Sequence, residues 1–219
     1  MAIIDEELTH MDKNSAPDSA PYHHGNLRAS LVAAAIELLA RVDGGAPSLR
    51  EVARLAGVSI AAVYRHFPSK EALLAEVAVD GFARLNTRWR ENLPDVAQAG
   101  AEQRFQLLGE HYVQFALAAP AHYRLMFEHQ DLRRFPDLER AARDCFLFVL
   151  DAAAATVREA GADARWALPA ANAAWALVHG YVMLSLGGRL TLSGATLDLP
   201  ATLLPRFLRL PPEALPGPR

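Results

Sequence analysis

Seven side chains between residues 48 and 70 carry most of the chemistry this 219-residue chain offers: Ser48, Arg50, Ser59, Tyr64, Arg65, His66 and Lys70. Hydroxyls and cations gathered near the starts of short helices suit the anionic oxygens of phosphate esters. A guanidinium such as Arg50 can also make a two-pronged contact with the edge of guanine. Catalytic arrangements are missing by comparison. No Gly-x-Ser-x-Gly elbow, phosphate-binding Gly-rich loop, dinucleotide fingerprint or His-Glu-x-x-His helix occurs in the chain. His122, Glu128 and His129 lack a third partner at metal or acid–base spacing and read as exposed helix termini. His23 and His24 are adjacent, so on a helix their side chains diverge rather than chelate. Cys145 is the one cysteine, which excludes an internal disulfide and a cysteine-based zinc site. The chain therefore reads as a non-enzyme that needs no metal or cofactor.

The elements that must position these groups belong to an ordinary globular protein. Hydrophobic residues make up 52% and charged residues 21%, too apolar for a disordered chain. Acids at Asp5, Glu6 and Glu7 replace the basic start of a secretory signal, so a reducing, cytoplasmic setting is expected. The net charge of -3 hides a split. Residues 22–70 hold six basic and three acidic side chains, a net +3, which leaves the rest of the chain at -6. A small basic module joined to an acidic body can meet a polyanion that the whole-chain charge would repel.

Apolar residues recur at helical spacing almost throughout. The spacing predicts a first helix over 26–42, ended by Asp43-Gly44-Gly45-Ala46-Pro47. Ser48-Leu49-Arg50-Glu51 matches a capping box, Gly57 supplies a tight turn, and Ser59 caps a third helix over 60–67. Pro68 and Ser69 close that helix and open a fourth, running from Lys70 to about Asn92. Beyond Pro94 come a stripe broken at Pro120, a short segment over 121–128, and long helices near 137–160 and 167–190. No segment alternates with period two, so the fold class is all-α. From Ala167 to Gly188 there is no Asp, Glu, Lys or Arg, nearly a bilayer span. Pro169, Asn172, His179, Gly180 and abundant alanine favour a helix buried between subunits over a membrane helix.

Two short helices joined by Ala56-Gly57-Val58-Ser59, with Ala53 small at their contact, have the pattern of a helix-turn-helix, whose second helix enters the major groove. An ordinary helical hairpin has similar turns, and the exposed cations and hydroxyls shift the reading towards DNA. The strings Ser48-Leu49-Arg50-Glu51-Val52-Ala53, Ala56-Gly57-Val58-Ser59 and Val63-Tyr64-Arg65-His66-Phe67-Pro68-Ser69-Lys70 resemble the DNA-binding domain of the TetR family of bacterial transcriptional regulators. Tyr22-His23-His24-Gly25-Asn26-Leu27-Arg28 resembles one subgroup, whose carboxy-terminal domain has a Trp-x-x-x-His-Gly signature. It is present here from Trp175 to Gly180.

The resemblance implies base reading by Arg50 and Arg65 and apolar contact from Ile60, Ala61 and Ala62. It places Tyr64, Lys70 and the Ser48 and Ser59 caps near phosphates. His66 fits either a phosphate contact or a packed structural role. His23, His24 and Arg28 belong to an arm that could touch the backbone or minor groove, or face solvent at the start of the first helix. The expected domains are a flexible arm over 1–21, the DNA-binding domain over 22–75, a helical effector and dimerisation domain over 76–210 and a flexible Pro-rich tail over 211–219.

Two long carboxy-terminal helices with small residues at Ala152–Ala155, Ala170, Ala171, Ala173 and Ala174 could pair in a homodimer or pack within one chain. A pocket for a small apolar or aromatic effector would draw on Phe105, Tyr112 and Phe115, on Tyr123, Met126 and Phe127, and on Phe146. Trp175, His179 and Met183 would join it at i, i+4 and i+8. Aromatic stripes also build plain cores, and His179 also fits a hydrogen-bonded interior histidine. The expected function is a ligand-released repressor on a palindromic operator. The alternative is a helical small-molecule-binding or scaffold protein that has lost its operator.

Overall fold

The computed structural model describes residues 27–41, 45–127 and 134–190, and among them every regular element is a helix. The predicted arm over 1–21, the tail over 211–219, and His23, His24, Glu128 and His129 lie outside the described residues. Helix α1 (Leu27–Arg41) packs through Leu31, Ala35 and Leu39. Helices α2 (Leu49–Leu55) and α3 (Ile60–His66) form the helix-turn-helix. Helix α4 (Lys70–Asn92) runs on from this module, without interruption at residues 75 and 76, into a body of α5 (Val96–Ala99), α6 (Ala101–Ala118), α7 (Pro120–Phe127), α8 (Pro136–Glu159) and α9 (Ala167–Leu186).

The starts of these helices follow from their caps. Ser48 Oγ accepts from Glu51 N–H at 3.3 Å while Ser48 N–H donates to Glu51 Oε2 at 2.7 Å. These reciprocal bonds satisfy donors that a helix start leaves open. The Ser48 donors hold the Glu51 carboxyl below the usual carboxylate range. Gly57 takes a φ of 68°, and Val58 N–H closes the turn on Ala53 O at 3.0 Å. Ser59 caps α3 on Ala62 N–H and Ser69 caps α4 on Ala72 N–H, each at 3.2 Å.

One contiguous core extends from α1 to α9, with α4 as its spine: Leu73 and Val77 face the amino-terminal module, and Phe82, Leu85 and Trp89 face the body. Two short elements escaped the sequence reading, α5 and a 3-10 turn at Ala164–Trp166 capped by Asp163. Neither is long enough to develop an apolar period. Ala152, Ala153 and Ala155 are buried inside this chain, so the small residues of α8 serve packing within the protomer. On α9, Ala171, Ala174, Val178 and Val182 pack inward, and Leu168, Trp175 and Leu184 stay exposed.

Candidate functional site

The two helices of the helix-turn-helix present a small cationic surface. Helix α3 turns Val63 and Ala62 into the core and leaves Ala61, Tyr64 and Arg65 on the outside, with Tyr64 55% exposed. Those three positions share one face at i, i+3 and i+4. Arg50 stands exposed on the first turn of α2. Among the described residues, no ion pair or side-chain hydrogen bond holds Arg50, Tyr64 or Arg65.

Other residues expected there have different placements. Ala62 is 6% exposed, so it is turned inward and away from the surface on which an apolar contact was expected of it. Ile60 is half-buried against the same core. The Ser48 and Ser59 hydroxyls are engaged in capping. Lys70 Nζ donates to Ala46 O at 2.7 Å and so ties the start of α4 to the loop before α2. His66 is half-buried, and its carbonyl accepts from Arg28 Nη1 at 3.2 Å.

Arg28 stands exposed on the first turn of α1, the solvent-facing helix start that was one of its two expected placements, and is tied from there to neighbouring helices. Its guanidinium meets Glu76 through two of its three nitrogens, Nε to Oε1 at 3.2 Å and Nη2 to Oε2 at 2.8 Å, and lies 4.7 Å from the centroid of Phe67. The hydrogen bonds it donates to Glu76 raise the Arg28 pKa further. The side chain joins α1, the end of α3 and α4, and so sets how the recognition helix sits on the spine.

Within the body lies a cavity of about 150 Å³. Helix α4 contributes Phe82 and Trp89, α6 Tyr112, α7 Met126 and Phe127, and α9 Trp175. The α8 wall is Ala142, Cys145, Phe146 and Val149. Of the residues expected in a pocket, Tyr112, Met126, Phe127, Phe146 and Trp175 line this cavity. Phe105 instead lines a void of about 20 Å³ on the other side of Tyr112 and Trp175. Phe115 packs beside His122, with ring centroids 6.4 Å apart, and Met183 packs against the core beyond the cavity wall.

Tyr123 and His179 stand behind the wall, in a hydrogen-bonded triangle with Tyr112. The two hydroxyls are 2.9 Å apart and lie 2.6 Å (Tyr123) and 3.0 Å (Tyr112) from His179 Nδ1. Burial pushes the Tyr112 hydroxyl well above its ordinary pKa, so it stays protonated. Burial likewise pushes the Cys145 thiol up to about 12, leaving it an inert, apolar piece of wall. Apart from Phe146, the α4 and α8 residues of the wall were not found from the sequence, although Phe82 and Trp89 share one stripe seven residues apart. That stripe reads equally as core.

His122 also departs from expectation. It is buried rather than an exposed terminus, with Nε2 2.6 Å from Val77 O and 3.8 Å from Asp80 Oδ2. Desolvation lowers its pKa despite both oxygens, so the ring is neutral and Nε2 carries the hydrogen given to Val77.

Residues 31–77 match the model of the family described as bacterial regulatory proteins, tetR family. Residues 105–206 match that of the tetracyclin repressor-like carboxy-terminal domain. The solved structure of a protein with unknown function from Rhodococcus sp. RHA1 is 32% identical, with a TM-score of 0.69 over 86% of this chain and 96% of that one. A TetR transcriptional regulator from Rhodococcus sp. RHA1 is similar in fold, at 23% identity and a TM-score of 0.60, covering 84% of this chain and 97% of that one. So is the fatty acid degradation regulator FadR from Bacillus halodurans, at 14% identity and 0.58, covering 90% and 96%. No curated protein matches the chain. With a helix-turn-helix at one end, a helical body at the other and a family model matched by each, the chain belongs to the TetR family of DNA-binding transcriptional regulators.

Proposed function

We propose that this regulator is a cytoplasmic homodimeric repressor that binds a palindromic operator and leaves it when a small molecule enters the cavity of the body. The observation that carries the DNA half of this reading is the face of α3, where Tyr64 and Arg65 stand exposed and unpaired, as Arg50 does on the first turn of α2. In this reading Arg50 and Arg65 reach base edges, Ala61 meets a thymine methyl, and Tyr64, His66 and the free hydrogens of Lys70 meet phosphates. The DNA-binding domain takes in residues 22–75, and residues 76–210 bind the effector and the second copy.

Support for the dimer comes from α9. Leu168, Asn172, Ala176, Gly180 and Leu184 recur every four residues along a side with no charge, and none of them is buried. A Cβ at Gly180 would meet nothing within 4 Å in this chain. A helix-interior glycine costs roughly 0.5–1 kcal/mol relative to alanine. A second copy crossing closely at this point gives that cost a purpose, and a single-sided apolar helix fits a subunit contact better than a bilayer. The small molecule then acts through α4, which lines the cavity with Phe82 and Trp89 and begins at the helix-turn-helix. DNA-competent recognition helices sit about 34–36 Å apart, and the bound molecule selects a different spacing.

Selection of bound fragments from random duplex DNA tests this. The expected product is a site of two inverted half-sites, bound with an affinity that falls steeply as salt rises. Recovery of no enriched sequence, with no retention on duplex DNA even in dilute buffer, would leave the chain as a helical small-molecule-binding protein.

A further inference from the structure

The negative charge that offsets the basic module is not spread evenly. Residues 1–21 hold five acids, Asp5, Glu6, Glu7, Asp12 and Asp18, against the one base Lys13, a net -4. Residues 71–219 carry a net of only -2. Most of the opposing charge therefore lies in a short segment that directly precedes the +3 of residues 22–70.

That segment joins the fold beside the recognition helix. Helix α1 begins at Leu27, and the next side chain, Arg28, donates from Nη1 to His66 O at 3.2 Å and lies over the Phe67 ring at the end of α3. Helix α3 has seven residues, about 10 Å of helix. The 14 residues from Lys13 to Asn26 can span up to about 46–50 Å, so the acids at 5–12 have the reach to meet the exposed α3 face.

The face they would meet is not neutralised by the module itself. Arg50, Tyr64 and Arg65 are exposed, and among the described residues none of them holds an ion pair or side-chain hydrogen bond. The acids nearby are engaged elsewhere: Glu51 in the Ser48 cap, Glu76 with Arg28 and Glu37 with Arg41. Attraction between exposed charges is modest and screened by salt. A segment on a short tether, however, meets its site at a local concentration on the order of millimolar, so weak attraction is enough to cover the face.

We propose that residues 5–12 dock within the same chain on the Arg50 and Arg65 face and compete there with the phosphates of DNA, an inference that rests on the DNA-binding reading above. Docking is set before any duplex is met, so it weakens all sequences by the same factor. A face covered nine-tenths of the time loses about tenfold in apparent affinity, and the loss fades as salt rises.

The test combines Asp5→Asn, Glu6→Gln, Glu7→Gln and Asp12→Asn in the full-length protein. This variant should bind duplex DNA of random sequence about tenfold more tightly than the parent in dilute buffer, with the difference closing at high salt. Removing four negative charges also strengthens DNA binding without any docking, so contact is read separately. Lys13 and Lys70 are the only lysines in the chain, and a carbodiimide joins carboxylates to amines that touch them. In the free parent, Lys70 should be linked to a carboxylate of residues 5–12 of the same chain. Duplex DNA should suppress that link, and so should Arg50→Ala combined with Arg65→Ala. Links from Lys70 to Glu51, whose carboxyl feels its charge, show that the amine reacts. Absence of the long-range link in dilute buffer overturns the proposal, as does a link that persists with duplex bound or a quadruple variant with the parent's affinity. Retention of the parent on duplex DNA without the link removes the docking and leaves the DNA-binding reading standing. The link in a protein that binds no duplex, with or without the four acids, removes the DNA-binding reading instead.

Discussion

The cations of the helix-turn-helix divide by what already holds them. Arg28 is committed to Glu76, His66 O and the Phe67 ring, and Lys70 to Ala46 O. Arg50 and Arg65 have no such partner among the described residues. Arg50→Ala should therefore leave folding unchanged, cost roughly 1–3 kcal/mol on the operator and relax discrimination at one base pair, as read by competition among single-base operator variants. Lys70→Ala should do something different. It should weaken every duplex alike, reduce the salt slope by about one unit, and lower the thermal midpoint because Ala46 O loses its donor. A further test concerns His122. Its folded pKa lies below the ordinary 6.5, so the unfolded chain takes up a proton first as pH falls. Stability is undiminished above about pH 6.5 and declines below it until the folded pKa is reached. His111, also lowered by burial, adds to the same slope. Urea midpoints between pH 7.5 and 5.5 should fall less steeply in His122→Asn; an unchanged slope would assign the effect to other groups. Residue types made Arg50 and Arg65 legible in the sequence, because an exposed cation needs no tertiary partner to be recognised. The roles of Arg28, Ala62 and His122 were not legible, since each is set by a neighbour on another helix.

Helices were the legible unit of this fold, as caps and apolar periods are local. Ser48, Ser59 and Ser69 marked three starts correctly, and the long helices end within a few residues of their expected limits. The cavity was legible only by halves. The aromatic residues of α6, α7 and α9 and Phe146 of α8 suggested it, but the α4 wall and the rest of the α8 wall depend on how the helices cross. The tyrosine–histidine triangle joins residues 11 to 67 apart in the chain, a separation no periodicity reports. The seam between α4 and α7 is where the cavity meets the spine. Gly81 gives α7 room: a Cβ there would lie 2.6 Å from Met126 Sδ and 3.0 Å from His122 Nε2. Met126 also lines the cavity, and His122 bonds to the α4 backbone. Gly81→Ala should push the two helices apart. Overpacking costs typically about 1–3 kcal/mol, less the roughly 1 kcal/mol that alanine returns to a helix. The net loss should appear in chemical denaturation, together with a changed response of DNA affinity to a small molecule bound in the cavity. If the variant is as stable as its parent and keeps that response, the close approach at Gly81 does not connect cavity and spine.

At the scale of the whole molecule, one helix-turn-helix makes few contacts, and a regulator built on one gains specificity by presenting two at a fixed spacing. The charge distribution agrees with this use: with the +3 of residues 22–70 at one end and a net acidic body at the other, two copies joined through the body, as proposed, would turn both basic ends to the same duplex. The uncharged side of α9 is the surface that can join them. Small residues at Ala176 and Gly180 lie between Leu168 and Leu184, and ridges formed by every fourth residue cross at about -50° when they interlock. Leu168 and Leu184 are 50% and 43% exposed, so charging them should cost the single chain little. Leu168→Glu combined with Leu184→Glu would bury like charges against one another in a dimer. The double variant is expected to keep its helical circular dichroism, sediment as a monomer at concentrations where the parent is dimeric, and lose at least a hundredfold in operator affinity while retaining the weak, salt-sensitive binding of a single half-site. A monomeric variant that binds the full operator as tightly as the parent would detach DNA recognition from dimerisation, and would leave the uncharged side of α9 needing another partner.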